Sequence, residues 1–590
     1  MFRVLKYLPK NVKVLIAIST ILALFDPLLF MILPFLTKQF FQIIANPLNK
    51  QINFLGIKIV TSLDPILVLS LMTFSFSILI FAVMFLGFFI SGKMSILAEY
   101  HLRKKLFNHI INLSIGDIEK ISYSTIITRF SNDINKISNG LMTITRSVIV
   151  SPGFVVFGTI FSIIVSPSLS LSLAIIIPLL AINALVLVLK IFPLYRKENV
   201  MLDQLNSLAK EDINNITLIK SYNLEERQLQ RYQLKNNDYI KIMKNEMNYG
   251  VIIWKIVDFI IGLGSPLIFG IIGLNLGDFN STSPEKIIGS VYQFNIYVAM
   301  ISHGVVRSFF TMNWVFRTSV SSKRFDEIMT KQSLIPIVVS DKKVENSNIK
   351  FENVSFSYNE NKVAIKDANF EIKENTFVGI VGKAGSGKST LIKLLTKQYL
   401  PNQGSIFVDH KNINEIDTKD FYKNISLVFQ NPKILSGTVK TNIDFSNEQD
   451  SQKEWLDKVK QISCANYIDD FEQMYDFKIQ QRGKNLSGGQ KQRLAIAQAI
   501  IKKPKILILD DATNSLDNAT DAKVIKNIRK EFNNSTLIMI SQRISSIKEA
   551  DQILMLDDGR IVAKGTHQEL LKNNQYYQEL FLSQEGNYEK

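Results

Sequence analysis

Apolar residues are distributed along this chain in two different ways. In the first half they come in charge-poor runs of about 20 residues, enough to cross a bilayer as a helix. Six such runs predict membrane spans at residues 12–36, 66–91, 141–165, 169–189, 251–274 and 287–310. In the second half, short aliphatic runs alternate with glycine-punctuated segments rich in Lys, Asp and Glu, the pattern of a soluble α/β domain. The two patterns require two solvents and hence two domains. The expected division is an all-α transmembrane domain at 1–330, a polar linker without apolar periodicity at 331–348, and a soluble domain at 349–590 that ends near Leu582 in a short polar tail.

Connectors refine the picture. Residues 93–139 and 190–244 are rich in Lys and Arg, whereas 166–168 and 275–284 carry almost no positive charge. Positive charge collects on the cytosolic side, so the first two connectors and both termini are expected in the cytosol of a multi-pass cell-membrane protein. The cytosolic connectors are long and keep helical apolar spacing, as at Leu102, Leu106, Ile110 and Leu113. Spans that continue as helices into the cytosol account for this; a separate small domain in each connector is the alternative, but strand and turn signals are lacking. Arg3, Lys6, Lys10 and Lys13 precede the first run as in a signal peptide, yet the run is too long and ends in no small-residue cleavage site.

Composition changes little. Hydrophobic residues make up 47% of the 590, and the net charge of +16 concentrates beside apolar spans rather than among stacking aromatics. That argues against a nucleic-acid partner. Abundant Lys, Asn and Ile point to an AT-rich bacterial genome. Cys464 is the single cysteine, which forbids an intramolecular disulfide and a cysteine metal pair.

The chemistry lies in the soluble part. Residues 377–381 read as a buried strand, followed by Gly382-Lys383-Ala384-Gly385-Ser386-Gly387-Lys388-Ser389-Thr390 and a helical run. In that strand-to-helix context the glycines let backbone N–H groups close around phosphate oxygens, Lys388 reaches the β- and γ-phosphates, and Ser389 can ligate Mg²⁺. A second aliphatic strand, 505–510, delivers Asp510 to the Mg²⁺ shell. Between them Ser487, Gly488, Gly489 and Gln490 open a helical run, a second anion-binding terminus that needs a phosphate from another chain.

With these motifs in this order, the chain resembles a half-transporter of the ABC exporter family: six spans followed by one P-loop ABC ATPase domain with a helical signature subdomain. The resemblance implies ATP and Mg²⁺ as ligands, Tyr358 stacked on adenine, Gln430 as the Q-loop residue beside Ser389 and Asp510 on the metal, Ser487 to Gln490 on the partner's γ-phosphate, and a D-loop from Asn514 to Asp517. It also implies coupling helices near 114–123, ahead of Arg129, Asn132 and Asp133, and near 209–217. The implied partners are a second half-transporter, membrane lipid and a small amphipathic substrate.

The chain departs from the pattern at the hydrolytic step. The position after Asp510 usually holds glutamate and here is Asp511; the switch histidine is replaced by Gln542. A carboxylate one methylene shorter holds water less well, and a carboxamide can hydrogen-bond a phosphate but takes up no charge. Every phosphate-binding residue is kept, a selectivity that resembles the degenerate subunit of heterodimeric multidrug exporters. A homodimer with two weak sites, and a non-transporting sensor ATPase using the same closure, are the alternatives. Gln480, Gln481 and Gln498 are smaller departures. Within the spans Asp26, Asp258, His303 and Arg307 are functional candidates because charge in a bilayer is costly.

Overall fold

The computed structural model describes residues 2–45, 51–54, 57–60, 63–274, 284–359, 362–444 and 453–585. The chain divides into two compact units, Met1–His109 with Ser124–Lys331, and Ile110–Tyr123 with Gln332–Lys590. All of the expected connector 275–284 except Pro284, and the last five residues of the chain, lie outside the described residues.

The first unit is a set of long helices. Pro65–Ile111, Leu173–Asn214 and Glu225–Gly262 run for 47, 42 and 38 residues. The longest spans about 70 Å, more than twice the hydrocarbon thickness. Among the described residues five helices are long and apolar enough to cross a membrane, where the sequence predicted six. The expected sixth segment falls inside the 46-residue helix Pro284–Met329, whose stretch from 287 to 310 carries His303, Arg307 and several amides and hydroxyls. On the first unit Phe81 and Phe89 are 67% and 63% exposed, which suits a surface facing lipid rather than water.

Close approach between helices is made at small residues, as expected where lipid removes the hydrophobic driving force. A Cβ on Gly304 would lie 2.7 Å from the Ser151 carbonyl and 2.9 Å from Phe154, and one on Gly153 would lie 2.6 Å from Pro27. Ser19 and Ser91 hydroxyls meet at 2.6 Å, and the Tyr297 hydroxyl donates to the Met31 carbonyl at 3.1 Å. Asp26 is buried and ion-paired with Arg146, a residue that sequence reasoning passed over although it is the charge inside the expected third span. Arg146 also donates to the Met84 carbonyl at 3.1 Å and lies 3.8 Å from the Phe88 ring. Asp258, by contrast, is exposed beside Lys255, and His303 and Arg307 are exposed.

In the second unit a six-stranded sheet has the order Arg560–Gly565, Gln552–Asp557, Phe377–Gly382, Thr536–Ile540, Ile506–Asp510, Ile425–Val428. All neighbours are parallel except the first pair. Successive side chains feed opposite faces, so Leu507 and Leu509 join one core while Ile506 and Ile508 join the other. A four-stranded antiparallel sheet carries Ile349–Asn359 at its centre.

The short helix Ile115–Ile121 belongs to this unit, capped by Ser114. Asp117 accepts from the Leu334 amide at 3.0 Å, and Glu119 accepts from the Tyr399 hydroxyl. The second short helix is Ile216–Ser221, several residues later than 209–217, because the preceding helix continues unbroken to Asn214. The helix Gln575–Glu585 runs past Leu582, where the polar tail is expected to start.

Removing one member of a buried ion pair leaves an unpaired charge, which costs about 3–5 kcal/mol. Asp26→Ala is therefore expected to lower the unfolding midpoint of the purified protein strongly, and Asp26→Ala with Arg146→Met to recover most of the loss. A double variant as unstable as the single one would show that the pair does not carry this packing.

Candidate functional site

Three adjacent parallel strands end together. Phe377–Gly382, Thr536–Ile540 and Ile506–Asp510 are neighbours in register, with Ile540 opposite both Ile380 and Asp510. In open parallel sheets ligands bind at the carboxyl ends of the strands. The glycine loop 382–389, Gln542 and the acidic pair Asp510 and Asp511 all follow those ends.

The phosphate loop depends on backbone conformations that side chains resist. Gly385 and Gly387 have φ of 82° and 106°, and a Cβ on Gly387 would lie 2.7 Å from the Ala364 carbonyl. Lys388 opens the helix Lys388–Leu395 and folds back over the loop, donating to the carbonyls of Gly382 at 2.7 Å and Lys383 at 2.8 Å. Burial pushes its ammonium below the usual lysine range, and the carboxylates of Asp511 and Asp510 oppose that shift. Ser386 Oγ is buried with no hydrogen-bond partner. An orphaned hydroxyl in a glycine-rich loop at a helix N-terminus fits an anionic phosphate.

Ser389 Oγ and Asp510 Oδ1 are 3.5 Å apart. Burial and then the neighbouring Asp511 push the Asp510 carboxyl above its usual range, and Ser389 and Lys388 counter this. Hard oxygen donors facing each other beside the phosphate loop fit Mg²⁺. Gln430 lies exposed two residues past the strand Ile425–Val428. Thr390 Oγ1 is 3.2 Å from the Tyr358 hydroxyl. Tyr358 is 39% exposed, has Lys393 Nζ 5.5 Å from its ring centre, and packs edge-on against Phe356 and Tyr399. Tyr399 is the ring bonded to Glu119, so one aromatic contact separates Tyr358 from the short helix Ile115–Ile121.

Asp511 is 5% exposed and has φ of 48°, the left-handed region that Asp tolerates better than most residues. Its amide donates to the Ile540 carbonyl at 3.0 Å, and its Oδ1 is buried without a partner. Gln542 is exposed beyond the middle strand.

Ser487 caps the helix Gly488–Ile500 in a reciprocal box with Gln490: the Gln490 amide donates to Ser487 Oγ at 3.3 Å, and the Ser487 amide to Gln490 Oε1 at 2.8 Å. Positions for a Cβ on Gly488 and Gly489 face Ser515. Asp517 caps the helix Asn518–Glu531, and bonds from Thr520 hold its carboxyl below the usual range.

Sequence reasoning missed two residues that hold the Asn514–Asp517 loop. Gln492, buried, accepts from the Ser515 amide at 2.8 Å. Arg543 donates to the carbonyls of Asn514 at 3.3 Å and Leu516 at 3.4 Å. Both are adjacent to motifs, but only the fold brings them to the loop. Of the smaller departures, Gln498 reaches Asn442 at 3.4 Å, and Gln480 donates its amide to Asn485 at 3.0 Å. Cys464 is buried, and burial raises its thiol.

Comparison with known proteins agrees with this geometry. The profile described as ABC transporter matches residues 365–514, and that described as ABC transporter transmembrane region matches 16–302. The ABC transporter ATP-binding protein YfiB of Bacillus subtilis is 33% identical over 516 residues, covering 86% of this chain and 88% of the relative. A Rickettsia bellii protein whose name describes export ATP-binding and permease parts is 31% identical over 483 residues, covering 81% of this chain and 83% of its own. The structure of a bacterial Atm1-family ABC exporter with ATP bound superposes with a TM-score of 0.76 at 22% identity, over 98% of this chain and 99% of that one. The chain therefore belongs to the ABC transporter family, as a multi-pass membrane protein that carries its transmembrane region and its ATPase domain on one polypeptide.

Proposed function

We propose that this chain is one subunit of a heterodimeric ABC exporter for amphipathic or hydrophobic substrates, and that its own ATP site binds nucleotide but hydrolyses it slowly. In this reading residues 1–330 form a six-span domain with cytosolic termini, 331–348 the linker and 349–590 the nucleotide-binding domain. The glycines of the phosphate loop, Lys388 and Thr390 hold the phosphates and Tyr358 the base. Ser389, Asp510 and Gln430 hold Mg²⁺, which supplies charge neutralisation at the β- and γ-phosphates when bound. Ser487 to Gln490 face the partner's nucleotide, and the fold shared with an exporter supports transport driven by closure of two such domains.

The observation that carries the reading is Asp511. Its buried Oδ1 is free to accept a hydrogen bond from water, but the side chain is about 1.5 Å shorter than glutamate. A misplacement near 1 Å can cost about a hundredfold in rate. Gln542 compounds the loss, because its neutral amide gives a bond roughly half as strong as an imidazolium would. A homodimer is the second reading; it is favoured by the same orphaned oxygen, since a carboxylate is still present to orient water.

Two outcomes follow. Gly387→Ala places a methyl against the Ala364 carbonyl at a positive φ and is expected to weaken ATP binding to the purified chain at least ~10-fold, as Lys388→Ala should; unchanged binding in both would remove the phosphate loop from the site. ATP turnover should be slow for the chain alone and rise when it is co-expressed with a half-transporter carrying glutamate and histidine at the two positions. Asp511→Glu with Gln542→His should then raise turnover at this chain's site by about a hundredfold. Turnover of the unaltered chain alone at ~1–100 s⁻¹ would replace the heterodimer with the homodimer.

A further inference from the structure

The C-terminal helix Gln575–Glu585 touches two motifs of the nucleotide site, although its sequence carries no motif of its own. Near its end Gln584 Oε1 accepts from the Ile544 amide at 2.9 Å, while Gln584 Nε2 donates to the Gln542 carbonyl at 2.7 Å. A backbone N–H can only donate and a carbonyl only accept, so the two partners fix which way this carboxamide is turned. One planar group thus pins the backbone on both sides of Arg543. In the first turn of the same helix the Tyr576 ring lies 4.8 Å from Lys383 Nζ, inside the phosphate loop.

The helix is a fixed support. Tyr577 is fully buried with its hydroxyl 2.8 Å from His567 Nδ1, its amide donates to Asn574 at 2.9 Å, and Phe581 meets the His567 ring edge-on at 5.3 Å. On the other flank of the switch loop, Arg543 ties the chain to Asn514, Leu516 and Asn518. The peptide that carries Gln542 is therefore held between the C-terminal helix and the loop before Asn518, while the Gln542 side chain stays exposed.

We propose that Gln584 is a positioning residue for hydrolysis: it fixes the switch-loop backbone so that the Gln542 carboxamide is aimed at the γ-phosphate of ATP held on Lys388. The inference rests on Gln542 occupying the switch position. A histidine there can gain strength from charge, whereas a neutral carboxamide contributes only through geometry. This chain, having lost the histidine, leans correspondingly more on whatever holds residue 542 in place.

The test uses the full-length protein in lipid nanodiscs, assembled with the subunit it pairs with or as a homodimer. Equilibrium photolabelling of this chain by 8-azido-ATP reads binding, and vanadate-trapped labelling reads one turnover at its own site. Gln542→Ala and Gln584→Ala are each expected to slow trapping about 10-fold with binding within about twofold, and the double variant to be no slower than Gln542→Ala alone. Gln584→Glu, which keeps the acceptor and loses the donor, should fall between Gln584→Ala and the unaltered protein. Glu579→Ala on the exposed side of the same helix should trap normally. The proposal is overturned if Gln584→Ala traps normally while Gln542→Ala is slow, if the two losses add, or if binding and thermal midpoint fall in step with trapping. Normal trapping by Gln542→Ala overturns the switch assignment itself, and with it the proposal.

Discussion

The parallel ladder that joins Phe377–Gly382 to Thr536–Ile540 and Thr536–Ile540 to Ile506–Asp510 is the constraint on which the nucleotide site depends. Buried backbone groups must be paired, so the register of these strands is fixed by hydrogen bonds on both sides and by apolar side chains on both faces. With the register set, the phosphate loop, Asp510 and residue 542 have nowhere to emerge except side by side. The ladder even extends one residue further, through the Asp511 amide to the Ile540 carbonyl, which holds Asp511 in its left-handed conformation at the edge of the site. A slip of one residue would turn both cores inside out and separate the acidic pair from Lys388.

Around that ladder, polar contacts bind loops that would otherwise be independent. Gln492 of the helix opened by Ser487 holds Ser515, and Arg543 of the switch loop holds Asn514 and Leu516. The helix that begins at Gly488, the loop before Asn518 and the loop around Arg543 are thereby tied to one another. The aromatic group of Phe356, Tyr358 and Tyr399, with Glu119 on the short helix, plays the same part around the strand Ile349–Asn359. In the helical unit the constraint is different: helices come close where residues such as Gly140, Gly153, Gly158 and Gly304 leave room, and the charge of Arg146 is answered by Asp26.

The motif residues and most element types were legible in the sequence because each is a local signal: a glycine pattern that permits positive φ, an aliphatic run of strand length, an apolar run of bilayer length. Long helices were legible for the same reason, since Leu102 and Leu106 repeat at helical spacing past the end of the apolar run. The later start of the second short helix was not, because nothing near Asn214 stops a helix strongly; nor was the helix through Leu582, which packs on His567 of the preceding helix. The sixth expected span is not among the five long apolar helices of the described residues, since polar groups along Pro284–Met329 dilute its apolar character.

By itself the sequence determined the two-solvent organisation, the glycine pattern of the loop after Phe377–Gly382, and which side chains, Asp511 and Gln542 among them, follow the strands beside it. Tertiary structure alone decided which distant groups meet them. Asp26 finds Arg146 across 120 positions and Gln584 finds Gln542 across 42. Side-chain chemistry is written residue by residue, but a contact between two helices, or between a helix and a loop, exists only once backbone pairing and packing have brought them within hydrogen-bonding distance.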